Sequence, residues 1–193
     1  PFGREEIRVP GLAETIVENA LAAAGGALAA GASLQAVATG LENHPGVPGR
    51  MQPRAIANDV LLIDDSYNAN PQSMNAAIKS LADLRGKGRA IAVLGEMSEL
   101  GSEAEVAHRD TGKQVFNAGI TMLLTVGDGA RNIAEGAVSA GMPIQHVHCC
   151  GTHEAAVSIL TSSQREGDWI LVKGSRASQM EKVVDMLAQE ETR

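Results

Sequence analysis

The densest group of side chains with chemical potential lies in residues 64–71, whose sequence is DDSYNANP. Six of these eight side chains can form hydrogen bonds, and the segment directly follows a short apolar run. Such a run is typical of a strand buried on both faces of a parallel sheet, and ligands of open α/β sheets bind at the carboxyl ends of the strands. A carboxylate there could accept hydrogen bonds from both hydroxyls of a ribose. The alternative is an Asx-rich turn in which Pro71 begins a helix.

A second group, residues 173–178 with the sequence KGSRAS, also follows an apolar run. Two cations, two hydroxyls and a glycine before a helix favour a site for an anion or a carboxylate. The structural alternative is a solvated loop whose serine caps the last helix.

A third polar loop comprises residues 95–101, with the sequence GEMSELG. Its polar residues are accounted for more by a helix start than by a ligand site. Ser102 and Glu105 have the spacing of a capping box, which predicts a helix start there. His108 is expected inside that helix in a structural role. These three loops are therefore the places to look for a site.

Several common catalytic motifs are missing from the sequence. It contains no G-x-x-x-x-G-K-[ST], no G-x-G-x-x-G, no G-x-S-x-G and no H-E-x-x-H. A chain without a glycine-rich phosphate loop is not expected to cradle a nucleoside triphosphate by itself. The adjacent Cys149 and Cys150 lack the spaced partners of a disulfide framework or a zinc site, so we expect no metal, although His146, His148 and His153 lie close by.

The elements that would position these loops are read from the apolar runs and the helical stretches. The runs are residues 60–63, 90–94, 122–126, 144–147 and 169–172, and the helical stretches are residues 72–84, 103–118, 130–140, 153–162 and 180–187. Five β-then-α units in a row predict an α/β, three-layer, Rossmann-like domain with a mainly parallel sheet.

The first segment of the chain has a different pattern. Residues 5–9 predict a short strand, and residues 13–30 predict an alanine-rich helix that Gly25, Gly26 and Gly31 weaken or end. Residues 33–41 predict a second helix, capped by Ser33. Two prolines and two glycines in residues 44–50 predict a linker. We therefore expect a helical segment, 1–49, and a separate domain, 50–193. The start at Pro1 suggests that the chain is a piece of a longer protein.

Composition limits the classes of partner. The formal net charge is −7 and aromatic residues make up 2% of the chain, which argues against a nucleic-acid partner or an anionic membrane surface. We see no signal peptide, and no apolar run reaches the ~18 residues of a membrane span. The sequence therefore predicts a cytoplasmic protein.

The order of the motifs resembles the C-terminal domain of the Mur ligases. DDSYNANP is followed by LGEMSELG, by His108, and by LVKGSR before a helix that contains ME. DSYNANP is highly specific, and the resemblance covers nearly the whole chain. Residues 1–49 are similar to the tail of the family's central ATP-binding domain, although Thr15 and Ile16 replace a His-Asn pair of its pattern.

The resemblance implies an ATP-dependent amide ligase of peptidoglycan synthesis. Its substrates would be UDP-N-acetylmuramoyl-tripeptide and D-alanyl-D-alanine, joined through an acyl phosphate. ATP and Mg²⁺ would be bound mainly by a central domain that this chain lacks, so no catalytic residue is expected here and the isolated chain should be inactive. The resemblance further implies a monomer with small-molecule partners.

The resemblance also implies roles for individual residues. The nucleotide would be bound by Asn19 near adenine, Arg50 near the phosphates, Asp65 at the ribose, and Tyr67 and Asn68 along the cleft. The incoming dipeptide would be bound by Asn70, Lys173, Ser175, Arg176 and Ser178.

Two other classes of function remain as alternatives. Asp64 and Asp65, Asp128 and Lys173 follow the first, third and fifth predicted strands, as in the Mg²⁺-dependent receiver domains of signalling proteins. Gly127 moves the Asp128 carboxylate off its strand end, and that interpretation leaves DSYNANP unexplained. A non-catalytic α/β scaffold with an exposed apolar patch is the other alternative.

Overall fold

The computed structural model describes residues 3–56 and 59–190, with the backbone alone for residues 14, 15 and 190. The chain divides into two compact units, Pro1–Val47 and Pro48–Arg193. None of the helices in the described residues is long and apolar enough to cross a membrane.

The first unit contains two helices, α1 (Glu14–Ala29) and α2 (Leu34–Glu42). Ser33 caps α2 as predicted, because its hydroxyl accepts a hydrogen bond from the N–H of Ala36 at 3.2 Å. Gly25 and Gly26 lie inside α1, so they do not end it. The strand predicted for residues 5–9 is wrong, because this unit offers no strand, in its described part, with which that segment could pair.

The second unit is built on a six-stranded sheet, counting the strands of its described residues, in the order β1-β2-β6-β3-β4-β5. The strands are β1 (Gln52–Ile56), β2 (Val60–Asp65), β3 (Ala90–Leu94), β4 (Met122–Val126), β5 (Val147–Cys150) and β6 (Trp169–Lys173). The helices are α3 (Pro71–Leu84), α4 (Ala104–Asn117), α5 (Arg131–Ala140), α6 (His153–Ser163) and α7 (Glu181–Glu190). β1 is antiparallel to β2 and the other pairs are parallel, so the predicted fold class is confirmed.

Alternate residues of the strands face the two helical layers, because side chains alternate across a sheet. Leu62, Val93 and Val172 belong to a buried cluster that includes residues of α6 and α7. Intervening residues such as Ile63 and Ala92 are equally buried, on the other face. Burial on both faces explains why these strands read as continuous apolar runs.

Three predicted details differ from the structure. β1 escaped prediction because its sequence, QPRAI, mixes polar residues with a proline; it is an edge strand, where proline is tolerated. The strand predicted for residues 144–147 begins only at Val147, after a 3₁₀ turn at Ile144–His146. The Ser102–Glu105 capping box is wrong, since Ser102 lies inside a 3₁₀ turn, Gly101–Glu103, that precedes α4.

Candidate functional site

The strand register brings the two principal polar segments to one edge of the sheet. β6 lies between β2 and β3, and Lys173 at its end is the register partner of both Asp65 on β2 and Leu94 on β3. Residues 64–71, 95–101 and 173–178 therefore leave the sheet side by side. We call these three loops the carboxyl-edge cluster.

Asp65 is a buried carboxylate of the cluster that two hydrogen-bond donors from other segments hold in place. Only 9% of the surface of Asp65 is exposed. Its Oδ2 accepts a hydrogen bond from Lys173 Nζ at 2.6 Å, and its Oδ1 accepts one from the N–H of Met51 at 3.1 Å. Burial raises the pKa of Asp65 above its ordinary value, while the Lys173 ammonium opposes that rise. A carboxylate has about four lone-pair positions, so these two bonds leave room for about two more donors.

Lys173 is buried, with 3% of its side chain exposed. Besides Asp65, its ammonium donates to the carbonyl of Asn68 at 2.9 Å. The family resemblance implies that Lys173 binds the carboxylate of the incoming dipeptide, whereas in the structure its ammonium is paired with Asp65 inside the domain. That burial needs the carboxylate, because an isolated buried ammonium is strongly disfavoured.

Asp64 has a structural role that the sequence did not reveal. One carboxylate oxygen accepts from Arg54 of β1 at 3.1 Å, and the other accepts from the hydroxyl of Ser66 at 2.6 Å. Asp64 thus joins the edge strand to the start of the loop. Two adjacent acidic residues therefore have different partners, which no local pattern in the sequence distinguishes.

The segment before β1 packs against the first loop. The N–H of Tyr67 donates to the carbonyl of Gly49 at 3.0 Å, and a Cβ on Gly49 would lie 3.1 Å from that same nitrogen, at a φ of +71°. Arg50 is exposed and stacks over the Tyr67 ring, with 4.5 Å between the guanidinium carbon and the ring centroid. Arg50 and Asp65 are thereby held near one another through Tyr67 and Met51.

Asn68 and Asn70 take part in the turn that starts α3. Asn70 Oδ1 accepts from the N–H of Ser73 at 2.8 Å, and Ser73 Oγ accepts from the N–H of Asn70 at 3.0 Å, which makes a capping box. Asn68 Oδ1 accepts from the N–H of Ala69 at 2.8 Å, and the residue is exposed. The Asx-rich turn considered above is thus present in the same segment as the candidate site.

The loop 173–178 exposes the Arg176 charge, buries Lys173 and Ser175, and leaves Ser178 partly buried. Ser175 is 1% exposed; its N–H donates to the Glu96 carbonyl at 2.8 Å and its hydroxyl lies 2.9 Å from the hydroxyl of Ser98. Ser178 Oγ donates to the Ser175 carbonyl at 2.7 Å. The side chain of Arg176 is 71% exposed and lies 3.5 Å from Glu181. Arg176 is therefore the member of this loop that offers a cation to solvent.

The loop 95–101 is joined to both α4 and the loop after β6. The N–H of Met97 donates to His108 Nε2 at 2.8 Å, and the N–H of Gly95 donates to the Lys173 carbonyl at 2.8 Å. Sequence reasoning missed Ser98 and Glu96 as partners of Ser175, because no local pattern links residues that lie 77 and 79 positions apart. Asn19, the remaining predicted residue, lies exposed on α1 in the first unit.

The strand order argues against a receiver-like acidic centre. β6 and β3 separate β2, which carries Asp65, from β4, which precedes Asp128. Three strand spacings amount to about 14 Å, too far for these carboxylates to share one cation. The Asp128 side chain is 90% exposed and pairs with Arg131.

Comparison with known proteins gives a consistent result. Residues 49–176 match the Mur ligase, glutamate ligase domain. The chain is 37% identical to the UDP-N-acetylmuramoyl-tripeptide–D-alanyl-D-alanine ligase of Escherichia coli K12 over its full length, and 36% identical to that of Mycobacterium bovis over 97% of it. It spans about two fifths of those relatives, 41% and 40% of their lengths.

Solved structures agree. A crystal structure of MurF from Acinetobacter baumannii superposes on 98% of this chain with a TM-score of 0.85 and 33% identity, covering 41% of that protein. The family match covers more than half of the chain and includes the carboxyl-edge cluster except residues 177 and 178. The chain therefore belongs to the Mur ligase family, as its motif order predicts, and its second unit carries the family's C-terminal domain.

Proposed function

We propose that this chain is the C-terminal part of an ATP-dependent amide ligase that adds D-alanyl-D-alanine to UDP-N-acetylmuramoyl-tripeptide in the cytoplasm. Residues 1–49 would be the helical tail of the central ATP-binding domain, and residues 50–193 the domain that closes over the nucleotide. The names of the relatives at 36–37% identity support the substrates. We expect a monomer.

The observation that carries the proposal is the position of Asp65. Asp65 begins the first loop of the carboxyl-edge cluster, and its carboxylate accepts hydrogen bonds from Met51 and Lys173. About two acceptor positions remain, which the vicinal hydroxyls of a ribose could occupy. Arg50, stacked on Tyr67, stands one residue from Met51 and would face the phosphates. Exposed Arg176 would attract the carboxylate of the dipeptide.

The chemistry proceeds in two steps. The terminal carboxylate of the tripeptide takes the γ-phosphoryl group of ATP, which releases ADP and forms an acyl phosphate. The amine of D-alanyl-D-alanine then attacks the acyl carbon, inorganic phosphate leaves, and the amine loses a proton. The Mg²⁺ of the central domain would neutralise phosphate charge. The residues described here would orient the nucleotide and the amine and exclude water from the acyl phosphate.

The test is the substitution Asp65→Ala in a complete ligase that ends in this chain. We expect the KM for ATP to rise at least tenfold, while the KM for the tripeptide, which other domains bind, changes little. Asp168→Ala is the matched control. It breaks the buried ion pair between Asp168 and Arg89, which lies next to the first residue of β6, at the amino end of the strand and far from Lys173. An unchanged KM for ATP in Asp65→Ala would remove the ribose assignment.

The isolated chain provides a second test. Because it has no glycine-rich phosphate loop, it should bind ATP weakly and form no amide product when supplied with ATP, Mg²⁺ and both substrates. Product formation by the isolated chain would refute this division of labour.

A further inference from the structure

We propose that Lys173 is a positioning residue that aims the Asp65 carboxylate at the nucleotide ribose, and that it does not itself bind the dipeptide. This inference rests on the proposed function, because it assumes that Asp65 receives the ribose. It replaces the dipeptide-binding role that the family resemblance implies for Lys173, and it concerns no other residue of that loop.

The first argument is the register. Lys173 ends β6 and Asp65 ends β2, and the two residues are direct partners in the parallel pairing. Adjacent parallel strands hold paired side chains on the same face, so the backbone itself sets the ion pair. Its 2.6 Å length and the burial of both side chains, 3% and 12% exposed, describe a contact inside the domain.

The second argument is the number of bonds that Lys173 makes. One N–H of the ammonium goes to Asp65 Oδ2 and another to the carbonyl of Asn68 at 2.9 Å. The same side chain thus fixes the carboxylate and the path of the loop that follows it. With Met51 holding Oδ1 from the other side, the carboxylate plane is fixed by two donors from two different segments.

The third argument is access. For a dipeptide carboxylate to take the Lys173 ammonium, it would have to enter a buried site and displace Asp65, which would leave that carboxylate without a cation. Arg176 is also near a carboxylate, that of Glu181 at 3.5 Å, but 71% of its side chain is exposed, so a dipeptide could reach it without entering a buried site. The geometry therefore favours Arg176 as the residue that binds the dipeptide carboxylate and Lys173 as the residue that orients Asp65.

The charged neighbours of Asp65 define what removal of Lys173 would do. Lys173 favours the ionised carboxylate, whereas burial and the adjacent Asp64 disfavour it. The Asp64 carboxylate accepts hydrogen bonds from Arg54 and Ser66, and as an acceptor it cannot supply the donor that Asp65 would lose. Without Lys173, the pKa of Asp65 should rise further, and nucleotide binding should become weaker and more dependent on pH.

The experiment compares Lys173→Met, Lys173→Arg and the control Arg89→Met in a complete ligase that ends in this chain. Arg89→Met removes the cation of the Arg89–Asp168 pair, which lies at the other end of the same strand. For Lys173→Met we expect the KM for ATP to rise at least tenfold and to increase further as the pH is lowered. The KM for D-alanyl-D-alanine should change less than threefold. Lys173→Arg should recover part of the loss, and Arg89→Met should leave both constants within threefold.

The opposite split, a raised KM for the dipeptide with an unchanged KM for ATP, would overturn the inference. Asp65→Asn separates this failure from that of the proposed function. If Asp65→Asn raises the KM for ATP and Lys173→Met does not, the inference about Lys173 fails alone. If neither raises it, the ribose assignment fails.

A measurement on the unsubstituted ligase covers the case in which Lys173→Met does not fold. The NMR signals of the Asp65 carboxyl carbon and the Lys173 ammonium nitrogen are followed during titration with ADP and, separately, with D-alanyl-D-alanine. We expect ADP to shift both signals and the dipeptide to shift neither. A Lys173 signal that responds to the dipeptide and not to ADP would contradict the inference.

Discussion

His108 Nε2 accepts a 2.8 Å hydrogen bond from the backbone N–H of Met97, so a side chain of α4 fixes the loop that leaves β3. Its other ring nitrogen lies 2.6 Å from the carbonyl of Ala104 and must therefore carry the proton. The ring is buried, and the loop that it fixes places Ser98 against Ser175. A helix interior thus determines the shape of one wall of the carboxyl-edge cluster.

Replacing His108 by alanine should loosen that wall. The buried N–H of Met97 would lose its acceptor, and an unpaired buried group costs about 1–3 kcal/mol. Hydrogen exchange at Met97 should accelerate, and the free energy of unfolding should fall by that amount. His146→Ala, at an exposed histidine, is the control and should change neither quantity. Unaltered exchange at Met97 in His108→Ala would contradict the assignment.

The ionisation of Asp65 should contribute to the pH dependence of the free energy of unfolding. Its pKa is raised in the folded protein by burial, so the folded chain holds that proton more tightly than the unfolded chain. Its contribution to stability is therefore most favourable below the ordinary value of 3.8 and declines as pH rises through the raised folded pKa. NMR titration of the Asp65 carboxyl carbon should give a higher midpoint in the folded chain than in urea. A lower midpoint would reverse the sign and contradict the prediction.

Helices α4 and α5 should not tolerate a methyl group at their closest approach. A Cβ on Gly112 would lie 1.9 Å from the carbonyl oxygen of Ile133, and one on Gly136 would lie 2.0 Å from that of Arg109. Either glycine changed to alanine should destabilise the domain by about 3 kcal/mol, since backbone has to move. Denaturant unfolding measures the loss.

The control is Gly26→Ala. Gly26 is also inside a helix, but a Cβ there would meet nothing within 4 Å. Alanine should therefore stabilise α1 by up to about 1 kcal/mol. If Gly112→Ala were as well tolerated as Gly26→Ala, the close helix contact would be wrong.

The two adjacent cysteines should differ in reactivity. Cys149 is exposed and Cys150 is buried, because successive residues of β5 face opposite sides of the sheet. Burial, and then the neighbouring Cys149, raise the pKa of the Cys150 thiol, which lowers its thiolate fraction. A thiol reagent at pH 8 should label Cys149 quickly and Cys150 slowly. Cys149→Ser should remove the fast phase; its persistence in that variant would contradict the placement of β5.

Several features of the fold follow from local sequence because they depend on local physics. Continuous apolar runs predicted the five parallel strands within a few residues, since strands buried on both faces carry apolar side chains on both. Ser33 predicted the start of α2, because a cap is a contact between residues three positions apart. The edge strand β1 has neither signal, so it appeared only in the structure.

The sequence by itself determined the fold class, the loops that carry polar chemistry and, through DSYNANP, the family. Only the tertiary structure decided the partners within those loops. Lys173 and Asp65 are 108 positions apart, and they meet because β6 inserts between β2 and β3. Strand order is set by how whole helices and strands pack, and no short pattern encodes it. For the same reason Asp64 and Asp65, identical in type and adjacent in sequence, have different partners.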